Sequence, residues 1–386
     1  MRVLTRLSAC AGLAAVAVAS PAAVAAAKTA HTTGTSPVAG YVYTDDNTAT
    51  TNTVAGFARH ADGSLTALSG SPFAAGGAGA AHGNTSQGSI VTADNGRFVL
   101  AVDNGSNQIS VLRVGSGGAL SLVGSPVSSG GTNPVSIGVS GMLVYVANAA
   151  PGAPNVTGFR LGFYGRLTPI ADSTVALGAT AQPDDVVINS TATNLIVPDV
   201  AQSVIYTYSI SSAGLLTAAP DSPLTAQGLG PFGSAFNPTN PDQLFVSNAH
   251  NGTALGTVSA FSVGSDGTLT SIGASPFADD QTAPCWVAVM PNGKYLFAVN
   301  TAVPSVSSYA INSDGSLTLI GSFPFEDGTT TAPTDATVSG NDLYVDGQGS
   351  DQVAAFRIAS GGFLSELASS PVSLPGGATP SGIAAS

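Results

Sequence analysis

Two short motifs, each repeated seven times along 386 residues, predict an all-β chain: a seven-bladed β-propeller of four-stranded antiparallel blades. The first motif is Gly-x-Leu-(Thr/Ser), with its glycine at Gly63, Gly118, Gly165, Gly214, Gly267, Gly315 and Gly362; the spacings of 55, 47, 49, 53, 48 and 47 residues match one blade each. The second is an alternating segment of the form V-x-x-(F/Y/L), such as Val54–Phe57, Val156–Phe159 and Val353–Phe356, always just ahead of a Gly-x-Leu. Composition agrees. Only 8% of residues are charged, against about a quarter in a typical soluble domain, while 47 are glycine and 24 proline. A chain so poor in long polar side chains must satisfy its backbone in sheets.

Two further elements complete the blade. One is an apolar strand ending in Asp or Asn, at Asp45, Asp103, Asn148, Asp199, Asn248, Asn300 and Asp346. The other is a strand of small residues, usually opened by proline: 88–94, 134–140, 183–189, 231–237, 284–290, 333–339 and 380–386. Blades crowd toward the axis, so the small-residue strand is innermost. The Asp/Asn-ended strand comes second, V-x-x-F third, and Gly-x-Leu outermost. Asp62-Gly63, Asp266-Gly267 and Asp314-Gly315 are expected to form type I′ hairpins between third and outer strands. Pro72, Pro126, Pro223, Pro276, Pro324 and Pro371 end or follow the outer strands and blunt their edges.

The termini predict closure. The first copy lacks an inner strand before Tyr41, and the last residues, 380–386, form an inner strand without a blade. Pairing the C-terminal strand with the N-terminal blade closes the ring. A solenoid would need capping repeats and no split blade.

The N-terminus reads as a secretory signal over residues 1–27. Arg2 and Arg6 precede an apolar run from Leu7 to Ala19, Pro21 breaks it, and small residues follow to Ala27. Leu7-Ser8-Ala9-Cys10 has the form of a lipoprotein processing box, but almost no apolar segment precedes Cys10. Residues 28–39 read as a flexible tether and 40–386 as the propeller. An extracellular location is expected. The apolar run is too short for a transmembrane segment. Cys285 is then the remaining cysteine, read as a buried structural thiol.

Formal charge is −12, and −14 without Arg2 and Arg6. Such a polyanion has no electrostatic basis for binding nucleic acid or an anionic membrane. A monomer is expected, with a small molecule or a protein as partner on the central-channel face.

That face is expected where inner strands start and second strands end. Residues after each inner-strand proline gather there: Val135-Ser136, Asp184-Asp185, Phe232-Gly233, Cys285-Trp286, Thr334-Asp335 and Ser381-Gly382, with Gln87-Gly88 in the copy that lacks proline. Asp184, Asp185, Trp286, Asp335 and Phe232 are the ligand-binding candidates. Trp286, the single tryptophan, is either a stacking platform or packing at the channel mouth. No organic cofactor is expected. Asp184, Asp185 and Asp335 offer oxygen ligands for Ca²⁺, whereas no Cys/His metal motif exists. The Asp and Asn residues that end every second strand read as a repeat device that caps turns. His31, His60, His82 and His250 show no base–nucleophile spacing, so no catalytic residue is assigned.

The repeats resemble the lactonase family of seven-bladed propellers, which includes 6-phosphogluconolactonase and 3-carboxymuconate lactonizing enzymes. The resemblance rests on D-G-S-L-T followed by S-P-F, on Pro284 to Asn300, and on Val197-Pro198-Asp199, and it covers nearly the whole mature chain. It implies a Pro-Arg-His type motif where this chain has Pro284-Cys285-Trp286, and Glu where it has Thr301. It also implies Pro-His at Pro183-Asp184, and a basic residue in the turn after Pro198-Asp199. The basic and imidazole groups that would polarise a lactone or hold a phosphate are therefore missing at the matched places. A non-catalytic binding or scaffold protein is expected. The alternative is a divergent hydrolase, metal-assisted through the acids, acting on a non-phosphorylated carbohydrate-type lactone.

Overall fold

The computed structural model describes residues 36–81, 86–326, 330–377 and 379–386. The expected signal segment, most of the tether, His31 and His82 lie outside the described residues. Seven antiparallel sheets follow one another around an axis, each with its strands in the order inner, second, third, outer. Blade 1 holds Val38–Asp45, Thr53–His60 and Leu65–Ala67, with Ile383–Ala385 as its inner strand. Blades 2 to 7 begin with the inner strands Ile90–Ala93, Pro134–Ser140, Val187–Ile188, Pro231–Asn237, Pro284–Val289 and Pro333–Ser339. The first strand starts at Val38, two residues ahead of the expected boundary at residue 40, with Val38 opposite His60.

Closure follows the predicted route. Val42, Tyr43 and Thr44 pair with Ala385, Ala384 and Ile383. Asp45 N donates to Gly382 O at 3.1 Å, and Ser381 N donates to Asp45 O at 2.9 Å. At the junction of blades 7 and 1, Arg59 of blade 1 and Arg357 of blade 7 flank the buried Asp342, with Arg357 Nε 3.0 Å from its carboxylate.

Two expectations need correction. The Asp-Gly turns are not type I′, because Asp62 has no positive φ while Gly63 has φ +85°. Gly63 N donates to His60 O, and His60 N donates to Ser64 O. This is a type I turn followed by a left-handed glycine, the three-residue hairpin with a G1 bulge. The aspartate has a separate task. Asp62 Oδ1 accepts from Ser64 N and Oγ at 3.1 and 2.7 Å, and Asp266 and Asp314 repeat this with Thr268 and Ser316. These bonds hold all three carboxyls below their usual range.

The outer strand is also not single. In blade 1 it splits into Leu65–Ala67 and Phe73–Ala74, which pair with opposite ends of Thr53–His60. Six blades share this split, whereas blade 6 keeps one strand, Leu317–Pro324. A serine at the same place in five blades, followed by proline in four of them as in S-P-F, fills the gap. Ser71 Oγ accepts from Gly56 N at 2.8 Å, and Ser173, Ser222, Ser275 and Ser370 do the same for Gly158, Thr207, Ala260 and Ala355. Each serine satisfies a third-strand N–H that the bulged edge leaves without a strand partner.

Apolar residues between neighbouring blades form the core. Phe98, Leu100, Val144, Val146 and Phe159, for instance, pack blade 2 on blade 3. Tyrosines lock blades together. The hydroxyls of Tyr43, Tyr145 and Tyr344 donate to Gly118 O, Gly214 O and Gly63 O at 2.8, 2.7 and 2.9 Å, each at the Gly-x-Leu turn of the next blade.

Candidate functional site

The axis is occupied by the chain itself. Inner strands normally open with proline here, and the copy that departs is blade 2, with Gln87-Gly88. Its inner strand is Ile90–Ala93, and Gly88 takes φ +72°. The preceding segment crosses the channel instead. Gln87 N donates to Asp184 O at 3.0 Å in the chain leading into blade 4. Gln87 Nε2 donates to Ser234 O of blade 5 at 2.8 Å, and Gln87 Oε1 accepts from Val287 N of blade 6 at 2.9 Å. Gly88 N donates to Asp335 Oδ2 of blade 7 at 3.2 Å, and Gly88 O accepts from Ile137 N of blade 3 at 2.8 Å. Ser89 Oγ donates to Ser381 O, beside the closing strand, at 2.8 Å. Three consecutive residues thus bond to all six other blades.

Two of the predicted site acids belong to this hub. Asp185 Oδ2 accepts from Ser234 N and Oγ at 2.8 and 2.7 Å, and its Oδ1 accepts from Ser136 Oγ at 3.2 Å. Asp335 Oδ1 accepts from Ala336 N at 2.8 Å while Oδ2 takes Gly88 N. Both are buried. Loss of water on burial pushes each up to about 7, against the pull of these donors. Asp184 is also buried, and its carbonyl receives Gln87 N.

Trp286 is fully buried and meets Phe232 edge-on, with ring centroids 5.0 Å apart and planes at 66°. Val200, Ala249, Cys285 and Phe325 pack in the same cluster. The two rings join the core and offer no exposed stacking face. Among the described residues no group of three or more His, Cys, Asp or Glu side chains is arranged to hold a metal ion. Asp184, Asp185 and Asp335 are not brought together as such a group. His60 is buried, within 2.6 Å of Ser36 O and 2.8 Å of Thr66 Oγ1, and His250 is exposed in a loop beside Gly230.

A cavity of about 400 Å³ borders the Gln87–Gly88 crossing. Val91, Ile137, Val139, Val187 and Phe236 wall it, Asp185, Ser234 and Gln87 floor it, and Asn237 and Pro238 stand at its far end. Asn237 ends an inner strand, so the cavity runs toward the face of the inner-to-second hairpins. The ligand face expected from the sequence is the opposite one, where inner strands start. Asp184, Trp286, Phe232 and Asp335 do not line this cavity, whereas Asp185 does.

Of the second-strand ends, Asp45 and Asp199 cap turns as the repeat reading expects, with Oδ1 accepting from Asn47 N and from Ala201 and Gln202 N, whereas others bond side chains of neighbouring strands. Asp103 accepts from Ser110 and Asn52, Asn248 donates to Thr257 and Ser259, and Asn300 donates to Ser305 and Ser307. Burial raises Asp45 to about 8 and Asp46 to about 7. Asp346, beside Asp335, is raised well above the carboxylate range, chiefly by burial.

A sequence profile described as "Lactonase, 7-bladed beta-propeller" matches residues 47–181 and 179–373. The chain belongs to the lactonase family of seven-bladed β-propellers. Solved structures agree on the fold of this lactonase-family propeller. It is 21% identical to a putative 6-phosphogluconolactonase from Bacteroides uniformis, with 90% of this chain and 99% of that one covered and a TM-score of 0.71. A putative 6-phosphogluconolactonase from Bacteroides fragilis follows at 20% identity, 90% and 98% coverage and a TM-score of 0.70. The periplasmic gluconolactonase of Pseudomonas aeruginosa is 18% identical, with 90% and 98% coverage and a TM-score of 0.69. No curated protein matches the sequence significantly. No helix among the described residues is long and apolar enough to cross a membrane.

The raised carboxyls of this lactonase-family propeller give its stability a pH dependence of definite sign. Asp45, Asp46, Asp185 and Asp335 hold their protons to higher pH folded than unfolded. Their contribution is present in full below the unfolded pKa of about 4 and is lost as pH rises through 7 to 8. The melting temperature should fall between pH 5 and pH 8.5, and Asp185→Asn should flatten part of that slope. A melting temperature that climbs over this interval contradicts the assignment.

Proposed function

We propose that this chain is an exported, non-catalytic binding propeller of the lactonase family. One observation carries the reading: the acids that reach the axis are bonded to backbone and serine donors of neighbouring blades. They are parts of the ring's hub: the hydroxyls that meet Asp185, those of Ser136 and Ser234, are fully buried and held in bonds between blades, away from any substrate. Replacement of the expected Arg, His and Glu positions by Cys285, Trp286, Asp184 and Thr301 supports the same conclusion. Export is supported by the leader-like residues 1–27 and by the periplasmic setting named for the Pseudomonas relative. The ligand best suited to the 400 Å³ cavity is small and uncharged, because its walls are largely apolar and its one acid, Asp185, is raised to about 7.

Family membership favours a second reading, a divergent hydrolase of non-phosphorylated sugar lactones. Purified protein assayed against phosphorylated and plain sugar lactones, with and without Ca²⁺, separates the two. The expected result is no turnover above buffer and no stoichiometric metal. Turnover that disappears in Asp185→Ala or Asp335→Ala, with the fold retained, would establish the hydrolase instead.

A further inference from the structure

We propose that the outer rim between blades 2 and 3 is a docking site for an acidic polypeptide segment carrying an aliphatic side chain. The first observation is charge. Residues 86–181 hold Arg97, Arg113, Arg160 and Arg166 against Asp94, Asp103 and Asp172; residues 182–386 hold two basic side chains, Lys294 and Arg357, against sixteen acidic ones. Within the basic part, Asp103 is buried and Asp94 pairs with Arg97 at 2.6 Å. Arg113 and Arg166 carry no ion pair to a carboxylate among the described residues, so this corner is cationic on a strongly anionic molecule; Arg160 serves the next junction, donating to Ser212 O of blade 4 at 3.1 Å.

The second observation is an aromatic tip at that corner. Phe163 and Tyr164 are 63% and 74% exposed in a chain with only 6% aromatic residues. Arginines hold the tip in place. Arg97 stacks 4.5 Å from the Phe163 ring and donates to Phe163 O at 3.2 Å, and Arg113 donates to Tyr164 O at 2.8 Å. An ordered, exposed Tyr–Arg cluster is the composition of an interface anchor.

The third is a groove that continues from the tip. It has a volume of about 530 Å³, with Val111, Val123, Val127 and Leu167 as apolar walls and Arg166 at its edge. Its occupant follows from these features together. Apolar walls take an aliphatic side chain, and the arginines select carboxylates. The two rings meet at 87°, so they present no flat platform on which a sugar could stack.

The test uses fluorescence anisotropy of the full chain with a labelled peptide alternating Glu and Val. Controls are a Lys/Val peptide, a Glu/Ser peptide and polygalacturonate as competitor. Saturable binding to the Glu/Val peptide is expected, weaker by about tenfold in Arg166→Glu and in Tyr164→Ala, and weaker still at high salt. Both positions are exposed, and an unchanged melting temperature confirms that the variants fold. Equal binding of the Lys/Val or Glu/Ser peptide, no loss in either variant, stronger binding of polygalacturonate, or no binding at all overturns the proposal.

Discussion

Deleting residues 379–386 is expected to unfold the whole ring. These residues supply the inner strand of blade 1, and their loss exposes the edge of Val42–Thr44 together with the open side of the channel. The backbone bonds of Asp45 with Gly382 and Ser381 and of Ser386 with Tyr41 go with it, as does the Ser89 contact to Ser381. Ile383 and Ala384 also leave the core. With a net value near 1 kcal/mol for each hydrogen bond, the loss is on the order of 5–10 kcal/mol once the burial of Ile383 is included. That is comparable with the whole stability of a typical domain, about 5–15 kcal/mol. Circular dichroism should show lost cooperativity, and a synthetic peptide of residues 379–386 added in trans should restore part of it. An unchanged melting temperature after truncation would rule out closure by this strand as a determinant of stability.

The second large effect is expected at the hub. Gln87→Ala strands two buried backbone groups, Ser234 O and Val287 N, each costing about 1–3 kcal/mol. Gly233→Ala attacks the same point from the opposite side. A Cβ there would lie 2.3 Å from Gln87 Oε1 and 2.6 Å from Cys285 O, closer than real contacts allow. Each variant should lose roughly 2–4 kcal/mol in denaturant unfolding. The double variant should lose less than the sum, because removing Gln87 relieves half of the alanine's clash. Additive losses would mean that Gln87 does not occupy the space beside Gly233. The comparison is sharpest with Gln87→Glu, which keeps the shape but removes the Nε2 donor to Ser234.

The hub also shows where reading the sequence by its repeats stops. Gln87-Gly88 was visible as the one place where an inner strand lacks its proline. A broken repeat marks a position released from the common blade pattern, and here that position crosses the channel. The same logic singles out Asp185 and Trp286. Both stood out as residues not shared by every repeat, yet one is hydrogen-bonded into the hub and the other packed against Phe232. Rarity within a repeat identifies a special environment, but burial decides what that environment does.

Blade number, strand order and ring closure were legible in the sequence because they follow from local rules. Alternation marks strands, Gly-x-Leu marks the outer hairpin, and an unpaired strand at each terminus admits one economical pairing. The S-P-F serine and the Asp-Gly turn were legible as motifs, although their geometry was not, since turn type depends on backbone angles that Asp-Gly permits in more than one way. Tertiary structure alone decided the rest: the blocked axis, the face toward which the cavity runs, and the burial of the axial acids. The hub bonds join residues 147, 200 and 247 positions apart in sequence. Periodicity places every inner strand at the axis but cannot say which side chain crosses it, because that is settled by the space left when seven blades meet.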